Sequence, residues 1–154
     1  MLQQINIDWI DSPKHNPHFV SIKTSPLHNK GAFSNSFIPQ NTFLGHYMGR
    51  ISTQFITGPY VFHSKRNNNV VSIDASDINY SNWTRYMNCS FSHQSENVTP
   101  FFLTNKEHYI KNTQTINLEG YIVFYAKKDI QPGQELLYYY GDAYAKLLNI
   151  TYKL

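Results

Sequence analysis

The densest chemistry in this chain is phenolic: 12 of its 154 residues are tyrosine, and three stand together as Tyr138-Tyr139-Tyr140. In an extended strand alternate side chains share a face, so Tyr138 and Tyr140 point one way and Tyr139 the other. Two hydroxyl-bearing rings on one face can wall a narrow channel and offer hydrogen bonds inside it. They are equally what a half-buried strand packs into a core. The single cysteine, Cys89, excludes an internal disulfide and a cysteine-rich zinc cluster and agrees with a reducing compartment. No His/Asp partner is placed beside it by sequence, so it reads as structural and not as a nucleophile. The seven histidines lack metal-ligand spacing, and no metal site is expected.

These residues need elements to hold them. The length and a 41% hydrophobic content suit one core, and the chain reads as a single domain. Short alternating stretches such as Phe19-Val20-Ser21-Ile22-Lys23, Gly31-Ala32-Phe33, Phe43-Leu44-Gly45-His46-Tyr47 and Val70-Val71-Ser72-Ile73 predict strands, broken at Pro26, Gly31, Pro39 and Gly49. Residues 65–69 read as a loop tip. Residues 121–126 read as a buried strand, 131–134 as a turn and 135–140 as another strand, and residues 142–148 fit a short closing helix with Asp142 as its N-cap. The Ser-, Asn- and Thr-rich stretch 92–117 admits a hairpin or a long surface loop. The longest apolar run, residues 121–126, is far short of the roughly 20 residues a spanning helix needs, and no membrane association is expected. Residues 1–10 lack the basic-then-apolar pattern of a secretory leader. The net charge of +3 is scattered, with Lys65-Arg66 and Lys127-Lys128 the adjacent pairs, and no nucleic-acid-binding signature accompanies it. Four Asn-x-Ser/Thr triplets, at Asn82, Asn88, Asn97 and Asn149, are read as chance products of an asparagine-rich chain.

Four local patterns carry the reading further. Ser25-Pro26-Leu27-His28-Asn29-Lys30-Gly31-Ala32-Phe33 resembles the opening cofactor turn of SET domains, and Tyr47-Met48-Gly49 resembles the Tyr-x-Gly that follows it. After Ile73-Asp74-Ala75, the stretch Asn82-Trp83-Thr84-Arg85-Tyr86-Met87-Asn88-Cys89-Ser90 is similar to the family's Asn-x-x-Arg-Phe-x-Asn-His-Ser core. Residues 123–141, ending Gln131-Pro132-Gly133-Gln134-Glu135-Leu136-Leu137-Tyr138-Tyr139-Tyr140-Gly141, resemble its C-terminal motif nearly residue for residue. Each pattern is weak alone; four in order over almost the whole chain are specific. The Asn-Trp-x-Arg-Tyr-x-Asn-Cys and Tyr-Gly-Asp-x-Tyr variants look closest to the PR-domain branch.

The resemblance implies a mostly β SET fold, a β-clip with a C-terminal pseudoknot and a few short helices. Residues 19–150 would form the SET domain, 1–18 an N-terminal extension and 151–154 a tail. It implies a protein-lysine methyltransferase using S-adenosylmethionine. Such transfer needs donor carbon and acceptor nitrogen on one axis. It also needs a lysine, of pKa about 10.4 when free, delivered as a neutral amine, which desolvation beside a positive sulfonium favours. By resemblance Tyr140 is the catalytic tyrosine, Tyr47 lines the lysine channel, and Tyr138 limits the number of methyl groups, pointing to mono- or dimethylation. Tyr60 would help enclose cofactor and channel. The backbone of Lys30, Gly31, Ala32 and Phe33 would face the cofactor, Asn88 would bind its methionine portion through the amide, Cys89 would meet the adenine edge, and Arg85 and Tyr86 would pack alongside.

Two substitutions and one missing segment depart from the family pattern. Asn29 replaces the first glycine of the family's Gly-x-Gly turn, and asparagine best tolerates positive φ among non-glycine residues. Cys89 replaces the usual histidine. No cysteine-rich segment follows Gly141 to wall the channel with zinc, which leaves Tyr144, Leu147, Leu148 and Tyr152 as wall candidates. The implied partner is a protein with a flexible lysine-bearing segment, a histone tail first, with a nucleosome and a homodimer both admitted; the implied location is intracellular and nuclear, or a host's nucleus for a viral or bacterial protein. A catalytically weak module that binds chromatin proteins stays open as the alternative, and so does methylation of a non-histone protein.

Overall fold

The computed structural model describes residues 17–104, 108–111 and 113–142. The protein is built from short strands arranged in small sheets, and its described helices are single 3-10 turns, in line with a mostly β SET fold. Strands β1 (Val20–Thr24) and β2 (Lys30–Ser34) form an antiparallel hairpin. Its connection passes through Asn29 at φ 37°, so the asparagine does adopt the left-handed region that favours glycine. Strand β3 (Phe43–His46) follows, then β4 (Arg50–Ser52), β5 (Val61–Arg66) and β6 (Asn69–Asp74). The order β4-β6-β5 makes one antiparallel sheet. The β5–β6 hairpin closes on Asn67 and Asn68, both at positive φ, as a two-residue turn requires. Gly49, just before β4, lies so close to β6 that a Cβ there would sit 2.6 Å from the Asp74 carbonyl carbon and oxygen, which explains the glycine of Tyr47-Met48-Gly49.

The 3-10 turns Ile78–Tyr80 and Trp83–Tyr86 lead into β7 (Asn88–Cys89). The stretch read as hairpin or loop contains β8 (Val98–Phe102) and a hairpin of β9 (His108–Lys111) with β10 (Gln114–Asn117). Strand β11 (Ile122–Ala126) lies between β3 and β8 and is buried along its whole length. Its alternation explains that: Ile122, Phe124 and Ala126 enter the main core with Leu44, Ile73, Trp83 and Leu136, while Val123 and Tyr125 enter a second cluster with Leu103 and Leu118.

The last strand, β12 (Leu137–Tyr138), pairs in parallel with β7, Leu137 opposite Asn88 and Tyr138 opposite Cys89. Only these two of residues 135–140 form a ladder. The Ser90 N–H donates to the Tyr138 carbonyl at 2.9 Å and the Asn97 N–H to the Leu137 carbonyl at 3.0 Å, so β12 is flanked by both ends of one loop. The Asn97 side chain completes the crossing, donating to the Glu135 carbonyl at 2.9 Å and accepting from the Leu137 N–H at 2.8 Å. Two asparagines of the Asn-x-Ser/Thr triplets are therefore internal. Asn97 is buried in this crossing, and Asn82 is buried with its amide on the His46 carbonyl at 3.0 Å. Apart from Asp142 itself, the closing helix and its wall candidates Tyr144, Leu147, Leu148 and Tyr152 fall outside the described residues. Among the described residues no helix is long and apolar enough to cross a membrane.

Candidate active site

Strand β12 delivers its tyrosines as alternation predicts. Tyr138 is buried and Tyr140 half-buried, their ring centroids 4.8 Å apart on one cavity, whereas the Tyr139 hydroxyl donates to Asp142 outside it. The Phe62 ring, from β5, stacks on Tyr138 at 5.9 Å with an interplanar angle of 15°, and Phe124 meets Tyr138 from β11 at 5.0 Å. Tyr47 packs edge-on to Phe62 at 5.0 Å. The rings of Tyr47, Phe62, Tyr138 and Tyr140 line a cavity of about 470 Å³ that also touches Tyr60, Arg85, Phe55, His63 and Phe102. That volume lies in the range of small-molecule sites. Five expected site residues thus converge on one space: Tyr47, Tyr60, Arg85, Tyr138 and Tyr140.

The hydroxyls are already oriented. Tyr47 donates to the Tyr60 carbonyl at 2.6 Å, tying β3 to the start of β5. Burial pushes the Tyr47 phenol well above its ordinary value, against a smaller lowering by the Arg85 guanidinium, so it stays protonated and serves as wall and donor. Tyr140 donates to the Met87 carbonyl, which fixes its ring beside β7. The Arg85 guanidinium bonds the Ala75 carbonyl at 2.9 Å and the Ser76 carbonyl at 3.2 Å and lies over the rings of Tyr60 and Tyr86 at 4.2 and 5.0 Å. It therefore places a fixed positive charge at the cavity wall.

Of the remaining expected residues, Lys30, Gly31, Ala32 and Phe33 form the β1–β2 turn and its second strand and Asn88 bonds to it, while Tyr86 lies under Arg85 and Cys89 pairs with Tyr138. Gly31 and Ala32 are buried; the Ala32 carbonyl accepts from the Leu136 N–H at 2.8 Å, and the Lys30 side chain is exposed. Phe33 bridges to Glu135 and carries the Lys23 ammonium 5.8 Å from its ring. The Asn88 amide nitrogen donates to the Lys30 carbonyl at 3.1 Å, the His28 carbonyl at 3.2 Å and a Glu135 carboxylate oxygen at 2.8 Å. Cys89 is buried, its thiol directed to the Ser90 carbonyl at 3.3 Å, and burial raises the thiol above its ordinary value. That agrees with a structural role. The turn and the cavity are joined through β7 and β12, where Asn88 and Cys89 pair with Leu137 and Tyr138.

A family model described as the PR domain of PR domain zinc finger protein 2 matches residues 19–151. The chain belongs to the PR-domain branch of the SET family. This PR domain is 32% identical over 133 residues to the histone-lysine N-methyltransferase set-17 of Caenorhabditis elegans, a match covering 83% of this chain and 43% of that protein. The chain thus spans less than half the length of that relative. Among solved structures, the methyltransferase domain of human PR domain-containing protein 2 superposes with a TM-score of 0.63 at 24% identity, over 82% of this chain and 80% of that one. KRYPTONITE, solved in complex with mCHH DNA, an H3(1-15) peptide and SAH, superposes with a TM-score of 0.61 at 24% identity, over 85% of this chain and 25% of that one. These likenesses establish the fold.

Phe62, Phe102 and Glu135 are among the contributors to the PR domain's site that went unassigned from sequence, as are Phe55 and His63. Phe62 was legible as the residue two along from Tyr60, hence on the same face of an extended segment. Phe102 reaches the cavity from β8, within the stretch whose structure the sequence left open. Glu135 opens the apolar pair Leu136-Leu137, and a carboxylate at the edge of buried sequence signals a partner. Its partners, Ser25 and Asn88, are 110 and 47 residues away in the chain, a distance no local pattern spans.

Proposed function

We propose that this PR domain transfers a methyl group from S-adenosylmethionine to the side-chain amine of a lysine in a protein, with a histone tail as the first substrate to test. The observation that carries the proposal is the convergence of Tyr47, Phe62, Tyr138 and Tyr140 on one cavity that is joined to the β1–β2 turn through β7 and β12. A channel of rings accepts the aliphatic stem of lysine and strips water from its amine, lowering the amine's pKa. The Arg85 guanidinium at the wall acts in the same direction. When bound, S-adenosylmethionine supplies an electrophilic methyl carbon on a positive sulfonium. Tyr140 orients the reacting nitrogen from a ring fixed by Met87, and Tyr138 sets the space left around it. The main chain of residues 30–33 and the side chain of Asn88 would hold the cofactor's methionine portion, with Tyr60, Arg85, Tyr86 and Cys89 at its flank. The set-17 relative, a histone-lysine N-methyltransferase, supports a histone substrate, and the peptide in the KRYPTONITE complex supports a tail as the partner kind. A nuclear location follows from that substrate.

A second reading, a domain that binds chromatin proteins without turnover, draws on Asn88, whose amide hydrogens are taken up within the protein. Calorimetric titration with S-adenosylhomocysteine separates the two. Saturable one-to-one binding supports the enzyme; absence of binding, with histone-tail peptides still captured, supports the module.

A further inference from the structure

We propose that Glu135 is a positioning residue for the cofactor turn: its carboxylate clamps Ser25 to Asn88 and thereby sets both the turn's path and the direction in which the Asn88 amide faces. The proposal rests on the methyl-transfer function above. The Glu135 oxygens accept from the Ser25 hydroxyl at 2.8 and 3.0 Å and from the Asn88 amide at 2.8 Å. Ser25 in turn accepts from the Leu27 N–H at 3.0 Å, and its own N–H donates to the Asn29 carbonyl at 2.8 Å. One carboxylate thus joins the opening turn, the Asn-Cys core and the C-terminal motif.

The clamp leaves no spare room. A Cβ on Gly31 would lie 2.3 Å from a Glu135 carboxylate oxygen, 2.8 Å from its carboxyl carbon and 3.1 Å from the Ser25 Cβ. A side chain at residue 31 would therefore displace the Glu135 carboxylate from the position in which it meets Ser25 and Asn88. Orientation follows from acceptor chemistry. The Glu135 carboxylate and the Lys30 and His28 carbonyls can only accept, so the Asn88 nitrogen must face them and its oxygen must face away. Among the described residues no donor meets that oxygen. An acceptor presented at the edge of the turn, with a carboxylate's negative charge behind it, suits the α-ammonium of an amino-acid-bearing ligand. Glu135 acts through Asn88 and the turn, so its contribution falls on cofactor affinity and not on the rate once cofactor is saturating.

The test measures S-adenosylhomocysteine affinity by calorimetry, KM for S-adenosylmethionine and kcat on a lysine peptide, with thermal unfolding as the check on folding. Glu135→Ala is expected to weaken binding and raise KM by roughly tenfold or more, the scale of one charge-assisted hydrogen bond, while kcat at saturation stays within about twofold. Glu135→Gln keeps an acceptor toward Asn88 and is expected to recover part of the loss. Gly31→Ala is expected to weaken binding, and adding it to Glu135→Ala to cost little more, because the clash has been removed. A folded Glu135→Ala that binds as tightly as wild type, or that loses kcat at unchanged KM, overturns the clamp alone. If Glu135→Ala does not fold, a Glu135→Gln and Asn88→Ala cycle decides, and purely additive effects overturn the clamp. Wild-type protein that binds no S-adenosylhomocysteine overturns the methyl-transfer function itself, and the clamp with it.

Discussion

Tyr140 and Asn88 occupy different parts of the site, and their substitutions separate its functions. On the proposed reaction, Tyr140→Phe removes the hydroxyl assigned to the reacting nitrogen and leaves the turn intact, so turnover is expected to fall by about a hundredfold, the scale of a lost transition-state hydrogen bond, with S-adenosylhomocysteine affinity nearly unchanged. Tyr138→Phe enlarges the cavity beside Tyr140 and, on the same proposal, is expected to shift products toward a higher degree of methylation, read by peptide mass. His46 carries a prediction of a different kind. Burial lowers its pKa to about 4 from 6.5, so the folded protein holds it neutral while the unfolded chain protonates it first. Stability is then fully present above about pH 6.5 and lost as pH falls toward 4, by up to about 3 kcal/mol. Unfolding midpoints across that window should fall in the wild type and flatten in His46→Leu.

At the scale of elements, the site depends on one crossing held by a side chain and on one close approach of backbones. Asn97 satisfies the Glu135 carbonyl and the Leu137 N–H from one buried amide. Asn97→Ala leaves both unpartnered and is expected to destabilise the fold by about 2 kcal/mol or more in denaturant titration. Gly49→Ala drives a methyl into the Asp74 backbone, and a loss of about 1–3 kcal/mol is expected. Strands β1, β3, β6 and β11 were legible because alternation or continuous apolarity marks them. Strand β5 was not: Val61-Phe62-His63-Ser64-Lys65-Arg66 runs polar toward the hairpin tip, and its hydrophobic signal ends at Phe62. The parallel pairing of β7 with β12 joins residues nearly fifty apart through two-residue strands, too short for any period to show. It was accessible only through resemblance to a family that shares it. The same limit hid Glu135, whose meaning lies in Ser25 and Asn88 and not in its neighbours.

For the molecule as a whole, the fold brings a turn, a core strand and a C-terminal strand together so that the β1–β2 turn and an aromatic cavity meet across β7 and β12. The channel residues were legible because strand alternation and family motif agree on Tyr138 and Tyr140. The turn's internal wiring was not, because it is built from side-chain contacts across the whole chain. The central claim is methyl transfer, and it is tested most directly by incubating the protein with labelled S-adenosylmethionine and a histone mixture, then reading lysine masses for wild type and Tyr140→Phe. The account predicts a mass gain on a lysine with the wild type that is abolished or reduced about a hundredfold in the variant. Equal labelling by wild type and Tyr140→Phe, or tight cofactor binding with no labelling of any histone or other protein supplied, would contradict it.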